Sequence, residues 1–442
     1  MNNARQIAVD VITQVFNNKA YSNIVLGKEL NKSDLSDVDK GLVTEIVYGT
    51  IKYKYTIDKI IQSFTGKNFK KLEDFVLNIL RISIYQIKYL DKIPPFAAVN
   101  EAVNLTKKNS SLGASKLVNG VLRNYLRNLE KSYCGEDPIE KLCFEYSFPR
   151  WLVEHFIKQY GRKTTEKILI GLNERPALTV RVNEIKGEYE EIYNSMENEG
   201  YQVSEGYVAP EAIRIVNGRN IEDNRLFKEG YVTVQDESAM LVAPSMELNS
   251  DSRVLDLCSA PGGKTTHISE IMDNTGEVLA FDIHENKLSL IKDNAKRLNI
   301  NNIKCETLDA SVYKKEFNKY ADRVLIDVPC SGLGIIRKKP EIKYTKNQKE
   351  LKSIVEIQRS IMNNAAKYVK KDGVILYSTC TLNKEENEKN IQWFLKNHPN
   401  FKLEPLFFGN VDNIIYGDSG EVTILPNKFM DGFFIVKIRR IG

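Results

Sequence analysis

Asp256-Leu257-Cys258-Ser259-Ala260-Pro261-Gly262-Gly263-Lys264 is a glycine-rich turn that ends one apolar run and leads into an amphipathic segment. Glycine lets the backbone come close to a ligand, and the free amides at the start of a helix suit a carboxylate or a phosphate. A strand-to-helix turn of this kind is typical of the first unit of an open parallel sheet. The turn therefore predicts an α/β domain with a nucleotide-like cofactor at the carboxyl end of its first strand.

Downstream of this turn the pattern alternates between strand-like and helix-like segments. We predict parallel strands at Arg253–Leu257, Gly276–Asp282, Ile303–Leu308, Asp322–Asp327 and Gly373–Ser378. Amphipathic stretches predict helices at Lys264–Met272, Glu285–Leu298 and Asn347–Val369. Strands that alternate with helices favour a doubly wound, Rossmann-like sheet. Two last runs, Glu421–Leu425 and Phe433–Arg439, follow each other without a helix and predict an antiparallel hairpin at the sheet edge.

Upstream of the turn the chain divides into two regions of different pattern. Apolar residues recur at helical spacing from residue 4 to about residue 130, which predicts an all-α bundle. Residues 135–150 contain proline and have the pattern of a looser connection. After them, Ala177–Asn183, Ile213–Val216 and Gly230–Val234 alternate like strands, with a helix near Glu188–Glu199. We therefore predict a helical domain at 1–135, a small α+β domain at 145–234 and an α/β domain at 235–442.

Two carboxylates follow the second and third predicted parallel strands. Asp282 is placed to accept hydrogen bonds from both hydroxyls of a ribose, and Asp309 is placed for an adenine. A nicotinamide site would require GxGxxG, which the turn lacks. Gly263-Lys264-Thr265 matches the end of a Walker A loop, but Cys258 occupies its first glycine position. S-adenosylmethionine fits better than either, because its carboxylate suits the helix amides, its ribose suits Asp282 and its adenine suits Asp309.

Two cysteines follow the last two predicted parallel strands. Cys330 closes Asp327-Val328-Pro329-Cys330, and Cys380 follows Thr379. A thiolate is a strong nucleophile at neutral pH, and its addition to C6 of a pyrimidine would let C5 accept a methyl group. The adduct must then lose its C5 proton and expel the enzyme, which a second cysteine could assist, and a carboxylic acid near N3 would help. We expect Cys134, Cys143 and Cys305 to be buried structural residues, and for Cys258, inside the turn, we favour packing over chemistry.

These motifs resemble those of the Sun-family (Nol/Nop/Sun) RNA cytosine-C5 methyltransferases. The resemblance rests on Asp327–Gly332, Ser378–Thr381 and Cys258–Lys264, and it covers roughly residues 150–442. It implies that Cys380 is the nucleophile on C6, that Cys330 assists release of the methylated RNA, and that Asp327 serves the cofactor and target-base site. It also implies contacts to S-adenosylmethionine from Cys258, Ser259, Ala260, Pro261, Gly262, Gly263, Lys264, Asp282 and Asp309. Gln235-Asp236-Glu237-Ser238 then marks the start of the catalytic domain.

The N-terminal helical region, which begins Ala4-Arg5-Gln6-Ile7-Ala8, resembles the NusB-type RNA-binding domain. Together the two resemblances imply that the partner is 16S rRNA and that one of its cytosines is the substrate. The chain departs from the usual pattern at Ser259, where alanine is common, and at Ala177, where a second proline is common. Neither position carries a catalytic role.

The composition is that of an ordinary globular protein, with 42% hydrophobic and 27% charged residues among 442. No apolar run is long enough to span a membrane, and the start of the chain lacks an apolar signal core, so we expect a cytoplasmic protein. Six cysteines without a CxxC pair, and four histidines without ligand spacing, argue against disulfides and a metal site. A monomer is the default expectation.

Positive charge is concentrated toward the N-terminus. Residues 1–150 carry 22 Lys and Arg against 16 Asp and Glu, whereas residues 151–442 carry 41 against 42. A solvated surface explains this excess better than a polyanion partner. Arg337–Lys349 is a more specific candidate for contact with RNA phosphates, because its basic residues surround a single carboxylate, Glu341. Two other functions stay open: a non-catalytic rRNA-binding assembly factor and a P-loop ATPase.

Overall fold

The computed structural model describes residues 4–442, whose contacts divide the chain into two compact units. The first unit comprises the chain up to Asn173 together with Ile336–Thr345, and the second comprises Glu174–Ile335 and Lys346–Gly442. Among the helices of residues 4–442, none has both the length and the apolar character needed to cross a membrane.

The first unit is helical, as the sequence predicts. Its long helices are α1 (Ala4–Asn18), α2 (Ser22–Asn31), α3 (Asp37–Lys52), α4 (Lys54–Thr65), α5 (Asp74–Tyr89), α6 (Pro95–Asn109), α7 (Leu112–Leu126), α8 (Pro138–Tyr146) and α9 (Arg150–Gly171). The apolar stripes of α1, α3, α4, α5 and α7 bury their side chains in one core, which contains Ile12, Ile46, Ile61, Ile84 and Leu122. Packing in this hydrophobic core is sufficient to explain the helical spacing of the apolar residues.

Residues 135–150, predicted as a connection, contain helix α8. Pro138 stands at the first helical position, where its missing amide hydrogen costs nothing and its fixed φ suits a helix. The Asp137 side chain caps the helix, since its Oδ1 accepts hydrogen bonds from the amides of Ile139 at 2.7 Å and Glu140 at 3.2 Å. The prediction was wrong because it took this proline for a break when it marks a helix start.

The segment predicted to contact RNA phosphates is in part buried within the first unit. Lys343 is fully buried, and its Nζ donates to the carbonyl oxygens of Lys52 at 3.2 Å and Ser147 at 3.1 Å, and to Asn173 Oδ1 at 3.1 Å. Burial lowers the pKa of this ammonium well below its usual value. Arg337 is also buried. The phosphate-contact hypothesis is therefore wrong for Lys343, whose ammonium faces the interior, and the burial of Arg337 argues against it at that position as well.

The second unit begins with a small antiparallel sheet of strands β1 (Leu178–Val182), β2 (Gln202–Glu205), β3 (Ala212–Asn217) and β4 (Val232–Val234). Their order is β2-β3-β1-β4, and helix α10 (Tyr189–Asn198) connects β1 to β2. The predicted helix and three of these strands are present. The short strand β2 was not predicted, because only Val203 in it is buried and the alternation is too brief to detect.

The larger sheet contains five parallel strands followed by antiparallel ones. The parallel strands are β5 (Arg253–Asp256), β6 (Glu277–Asp282), β7 (Ile303–Thr307), β8 (Ala321–Asp327) and β9 (Val369–Thr379). The others are β10 (Phe401–Glu404), β11 (Ile414–Tyr416), β12 (Val422–Ile424) and β13 (Phe433–Arg440). The remaining helices are α11 (Arg225–Lys228), α12 (Glu237–Met240), α13 (Gly263–Ile271), α14 (Glu285–Leu298), α15 (Ile342–Thr345, in the first unit), α16 (Gln348–Tyr368) and α17 (Glu388–Asn397).

The strand order explains where a ligand can bind. The sheet runs β11-β12-β13-β9-β8-β5-β6-β7, so the first strand, β5, lies between β6 and β8. The chain reverses its direction of progress across the sheet at β5, and ligands bind beside the carboxyl ends of strands at such a switch point. Strand β13 pairs antiparallel with both β9 and β12, which confirms the predicted hairpin, but the edge position is taken by β11, a strand that was not predicted. The predicted fold class, a Rossmann-like α/β domain after a helical bundle and a small α+β domain, is confirmed.

Candidate active site and cofactor site

The glycine-rich turn between β5 and α13 has the close-packed backbone that its sequence predicts. Gly262 has φ +100°, and a Cβ there would come within 3.1 Å of Ile291 on α14, so this position requires glycine. The Ser259 hydroxyl donates to the carbonyl oxygen of Phe281 at 2.8 Å, as does its backbone amide. Ser259, the departure from the usual alanine, thus ties the turn to β6.

A cavity of about 180 Å³ opens beside this turn. Most of the residues predicted to bind the cofactor line it: Cys258, Ser259, Ala260, Pro261, Gly263, Lys264 and Asp327. It is also lined by residues that the sequence analysis did not assign: Val234, Gln235, Ala239, Asp256 and Leu325. Gly262 shapes the turn without lining the cavity.

Two of the unassigned residues bring buried polar atoms without partners to this cavity. Within residues 4–442, neither Asp256 Oδ1 nor Gln235 Nε2 has a hydrogen-bond partner, although both atoms are buried. The other oxygen of Asp256 accepts a hydrogen bond from the Thr265 hydroxyl at 2.7 Å. An acceptor and a donor that are buried without partners are costly unless a ligand satisfies them. The pair suits a ligand that carries both an ammonium and a carboxylate.

Burial raises the pKa of Asp256 to about 7, and the neighbouring Asp327 carboxylate adds to this effect. Burial likewise raises the pKa of the Cys258 thiol well above its usual value, with contributions from the carboxylates of Asp256, Asp327, Asp282 and Asp309. Cys258 therefore keeps its proton. Its side chain packs against the core of the sheet, in agreement with a packing role.

Asp282 and Asp309 lie at the ends of neighbouring strands but do not line the cavity. Asp282 ends β6, and its Oδ1 accepts from the amide of His284 at 2.9 Å. Asp309 follows β7, is exposed, and accepts from the amide and the hydroxyl of Ser311 at 2.9 and 2.6 Å. The two carboxylates extend the row of acceptors along the carboxyl edge of the sheet away from the cavity.

Asp327, at the end of β8, is the most highly connected carboxylate of the site. Its Oδ2 lies 2.7 Å from Lys264 Nζ, and its Oδ1 accepts from the Ser378 hydroxyl at 2.7 Å. Burial alone would lower the pKa of the Lys264 ammonium, but its pairing with Asp327 and its proximity to Cys380 raise it. Lys264 is therefore a permanent cation between the cofactor turn and the two cysteines.

Cys330 and Cys380 lie side by side, with their sulfur atoms 3.2 Å apart. Strands β8 and β9 pair in parallel with Asp327 opposite Ser378, so the segments that follow the two strands start at the same level. Both cysteines are half-buried and neither forms a disulfide. The hydrogen bond to Cys380, together with burial, raises the pKa of Cys330 well above its usual value. Cys330 is therefore a thiol that can donate its proton to the neighbouring sulfur.

The other cysteines lie outside this pair. Cys143 is fully buried on α8, as a packing role requires. Cys134 and Cys305 are only half-buried, so the expectation that they are buried structural residues was wrong on that point.

Arg181, which the sequence analysis missed, supports the cofactor turn from the small sheet. Its guanidinium is completely buried and donates to both carboxylate oxygens of Glu270, at 2.9 and 2.7 Å. It also donates to the carbonyl oxygen of Gly263 at 2.9 Å and to Gln235 Oε1. A buried guanidinium of this kind needs all of these acceptors to offset its desolvation. The local sign of this role is a charged residue inside a strand whose other residues are uncharged.

Three protein families match successive parts of the chain. Residues 2–127 match the NusB family, and residues 148–222 match the family described as "Methyltr_RsmF/B-like, ferredoxin-like domain". Residues 243–439, which contain the cavity and both cysteines, match the family described as "16S rRNA methyltransferase RsmB/F".

Curated relatives are similar over their whole length. The chain is 40% identical to the "Probable ribosomal RNA small subunit methyltransferase B" of Bacillus subtilis, with 99% of each chain covered. It is 34% identical to the protein of the same name from Synechocystis, with 100% of each covered. Among solved structures, "Crystal Structure of PH0851" superimposes with a TM-score of 0.83 at 27% identity and covers 100% of this chain and 99% of that one.

Proposed function

Because this chain belongs to the 16S rRNA methyltransferase RsmB/F family, we propose that it methylates C5 of a cytosine through a covalent bond between Cys380 and C6. The resemblance inferred from the sequence motifs, the fold and the use of S-adenosylmethionine are confirmed. The position of the methyl group and the roles of individual residues belong to the proposal. The observation that carries it is the pair of sulfur atoms 3.2 Å apart beside Lys264 and Asp327.

The cavity beside the turn fits the amino-acid end of S-adenosylmethionine. Asp256 Oδ1 is an acceptor for its ammonium, and Gln235 Nε2 is a donor for its carboxylate. Asp282, placed one strand away, would bind the ribose hydroxyls, and Asp309, one strand further, would face the adenine. The bound cofactor supplies an electrophilic methyl group. The chain supplies the groups that hold it and the groups that activate the base.

Cys380 is the proposed nucleophile. Addition of its thiolate to C6 forms an S–C6 bond and breaks the C5=C6 double bond, which turns C5 into a nucleophile for the methyl group. The negative charge that develops on the ring is stabilised by a nearby cation or proton. Lys264 is the cation beside the cysteines, and its Nζ lies 2.7 Å from Asp327 Oδ2. Lys264 also lies close enough to Cys380 to interact with it electrostatically. We propose that Lys264 and Asp327 bind the target base.

Cys330 is proposed to act in the second half of the reaction. After methylation, loss of the C5 proton must re-form the C5=C6 double bond while the S–C6 bond breaks. In this elimination a base accepts the C5 proton, the electron pair of the C5–H bond forms the double bond, and the S–C6 pair leaves with the Cys380 sulfur, to which the Cys330 thiol at 3.2 Å can donate its proton. The two cysteines therefore have separate steps, addition for Cys380 and release for Cys330.

The direct test is methyl transfer from labelled S-adenosylmethionine to naked 16S rRNA. We expect the label in 5-methylcytosine after digestion of the RNA to nucleosides. A label in another nucleoside would overturn the proposal, and rRNA binding without transfer would favour an assembly factor. Thermal denaturation separates the remaining alternative: S-adenosylmethionine should raise the melting temperature and ATP should leave it unchanged. An ATPase is disfavoured because Cys258 takes the first glycine position of a Walker A loop.

The affinity for S-adenosylmethionine is expected to rise with pH around neutrality. The pKa of Asp256 is about 7, and a bound ammonium favours its ionised form, so binding at lower pH must displace a proton. Titration calorimetry should show binding weakened by up to about tenfold from pH 7.5 to pH 6.0. Asp256→Asn keeps an acceptor for Thr265 but cannot ionise. This variant should bind S-adenosylmethionine weakly and with little dependence on pH. If its affinity fell with decreasing pH as steeply as that of wild type, Asp256 would be excluded as the titrating group.

We also propose the domain division 1–135, 145–234 and 235–442. The three family matches, at 2–127, 148–222 and 243–439, each fall inside one of these ranges, which supports the division.

A further inference from the structure

A buried carboxylate connects the two loops that carry the cysteines. The Cys330 loop (residues 328–335) follows β8, and the Cys380 loop (residues 380–387) joins β9 to α17. Glu386 lies in the Cys380 loop and is fully buried. Within residues 4–442, the hydrogen bonds of its carboxylate go neither to a cysteine sulfur nor to a residue that lines the cavity. Neither the addition to C6 nor the release of the RNA involves Glu386 directly.

Both oxygens of Glu386 are saturated by donors. Oε2 accepts from the backbone amide of Ser331 at 2.9 Å and from Gln358 Nε2 at 3.0 Å. Oε1 accepts from the hydroxyl of Ser331 at 2.5 Å and from Asn383 Nδ2 at 3.0 Å. Since all four partners are donors, the arrangement requires an acceptor at every position and suits a carboxylate better than an amide.

The partners of Glu386 are the neighbours of the two cysteines. Ser331 follows Cys330 directly, and its hydroxyl also lies 2.7 Å from that of Thr381, which follows Cys380. Gln358, on α16, donates in addition to the carbonyl oxygen of Pro329, which precedes Cys330. Residues on both sides of Cys330 are thus attached to Glu386, directly or through one side chain.

We propose that Glu386 is a positioning residue that fixes the Cys330 loop against the Cys380 loop, and so keeps the Cys330 sulfur in reach of the adduct at Cys380. This inference rests on the proposed function. Glu386 acts on the release step because three of its bonds lead, directly or through Gln358, to the residues that flank Cys330. The Cys380 loop has its own support: Asn387 accepts from the Thr379 hydroxyl at 2.7 Å and donates to the Thr381 carbonyl at 2.9 Å.

The test compares adduct formation and adduct release in Glu386→Gln. The amide places donors against two existing donors, so the Cys330 loop loses its anchor while Asn387 still holds the Cys380 loop. Labelled 16S rRNA is mixed with enzyme and S-adenosylmethionine, and the protein-bound RNA is followed on denaturing gels over time. We expect the adduct of Glu386→Gln to last about tenfold longer than that of wild type, with a smaller change in its formation rate.

Glu385→Gln is the matched control, since Glu385 is the preceding residue, is about half-exposed and pairs with Lys389. It should behave as wild type. Ser331→Ala removes one hydroxyl and keeps the backbone bond, so it should prolong the adduct to a smaller extent. If Glu386→Gln fails to fold, as judged by its melting temperature and S-adenosylmethionine titration, Ser331→Ala decides by the same criterion.

An unchanged adduct lifetime, or formation and release slowed to the same extent, would overturn the role of Glu386. If that result is accompanied by a trapped adduct in Cys330→Ala, the two-cysteine mechanism survives and only this inference is lost. Full methylation activity in Cys380→Ala would instead remove the proposed function, and the inference with it.

Discussion

Cys380→Ala should abolish methyl transfer, with a loss of at least ~10³-fold in the rate, because no other group can add to C6 from the same position. The nearest sulfur, Cys330, is 3.2 Å away and lies on a different loop. Its raised pKa keeps it protonated and therefore a poor nucleophile. Without addition to C6, C5 of the base stays too weak a nucleophile to take the methyl group.

The measurement is incorporation of labelled methyl into 16S rRNA, with protein-bound RNA assayed under denaturing conditions in parallel. Cys380→Ala should show neither product nor adduct, while its affinity for S-adenosylmethionine stays close to that of wild type because Cys380 does not line the cavity. Cys305→Ala is a suitable control, since Cys305 is a half-buried cysteine of the same sheet on strand β7. Full activity in Cys380→Ala would exclude the covalent mechanism while leaving the fold untouched.

The sequence predicts which of these residues lie near each other because its signals are local. Strand-like segments alternate with amphipathic helical ones, and each candidate catalytic residue lies at a strand end or within three positions of it. In a parallel sheet the carboxyl ends of the strands lie on one edge. The proximity of Asp327 and Cys380 could therefore be predicted from their positions after two strands, before any side-chain contact was known. Pro138, at the start of α8, is a residue type whose local signal is ambiguous. A proline is found both in loops and at the first position of helices, and the sequence pattern alone led to the loop prediction.

Long-range partners could not be predicted in the same way. Asp256 lies at the start of the glycine-rich turn, but its unpartnered oxygen becomes significant only because Gln235, which follows the small sheet, lines the same cavity. Arg181 is 89 positions from Glu270, and neither sequence neighbourhood indicates the pairing. In the sequence, Lys343 is typical of a surface cation. Its burial could not be predicted because the carbonyl oxygens that accept its hydrogen bonds come from residues 52 and 147, far away in the chain. Buried polar networks depend on tertiary geometry, which periodicity does not encode.

Cys330→Ala is expected to have the opposite effect from Cys380→Ala on the covalent intermediate. Cys380 can still add to C6, so the adduct forms and the base is methylated. Release then lacks the group that lies 3.2 Å from the departing sulfur, and the intermediate persists. We expect a protein–RNA complex that survives denaturant, in an amount approaching one RNA per enzyme, with turnover reduced by ~10²-fold or more.

The adduct is best followed on denaturing gels with labelled 16S rRNA, with and without S-adenosylmethionine. Cys305→Ala again provides a matched comparison, because Cys305 is a half-buried cysteine of the same sheet that lies outside the cavity and should give no trapped complex. A double variant, Cys330→Ala with Cys380→Ala, should also give none, since the bond that is trapped belongs to Cys380. If Cys330→Ala turned over normally, its sulfur would be a neighbour without a role. The Cys380 sulfur would then leave without a proton from Cys330, and Lys264, paired with Asp327, is the cation of the site that could stabilise the departing thiolate.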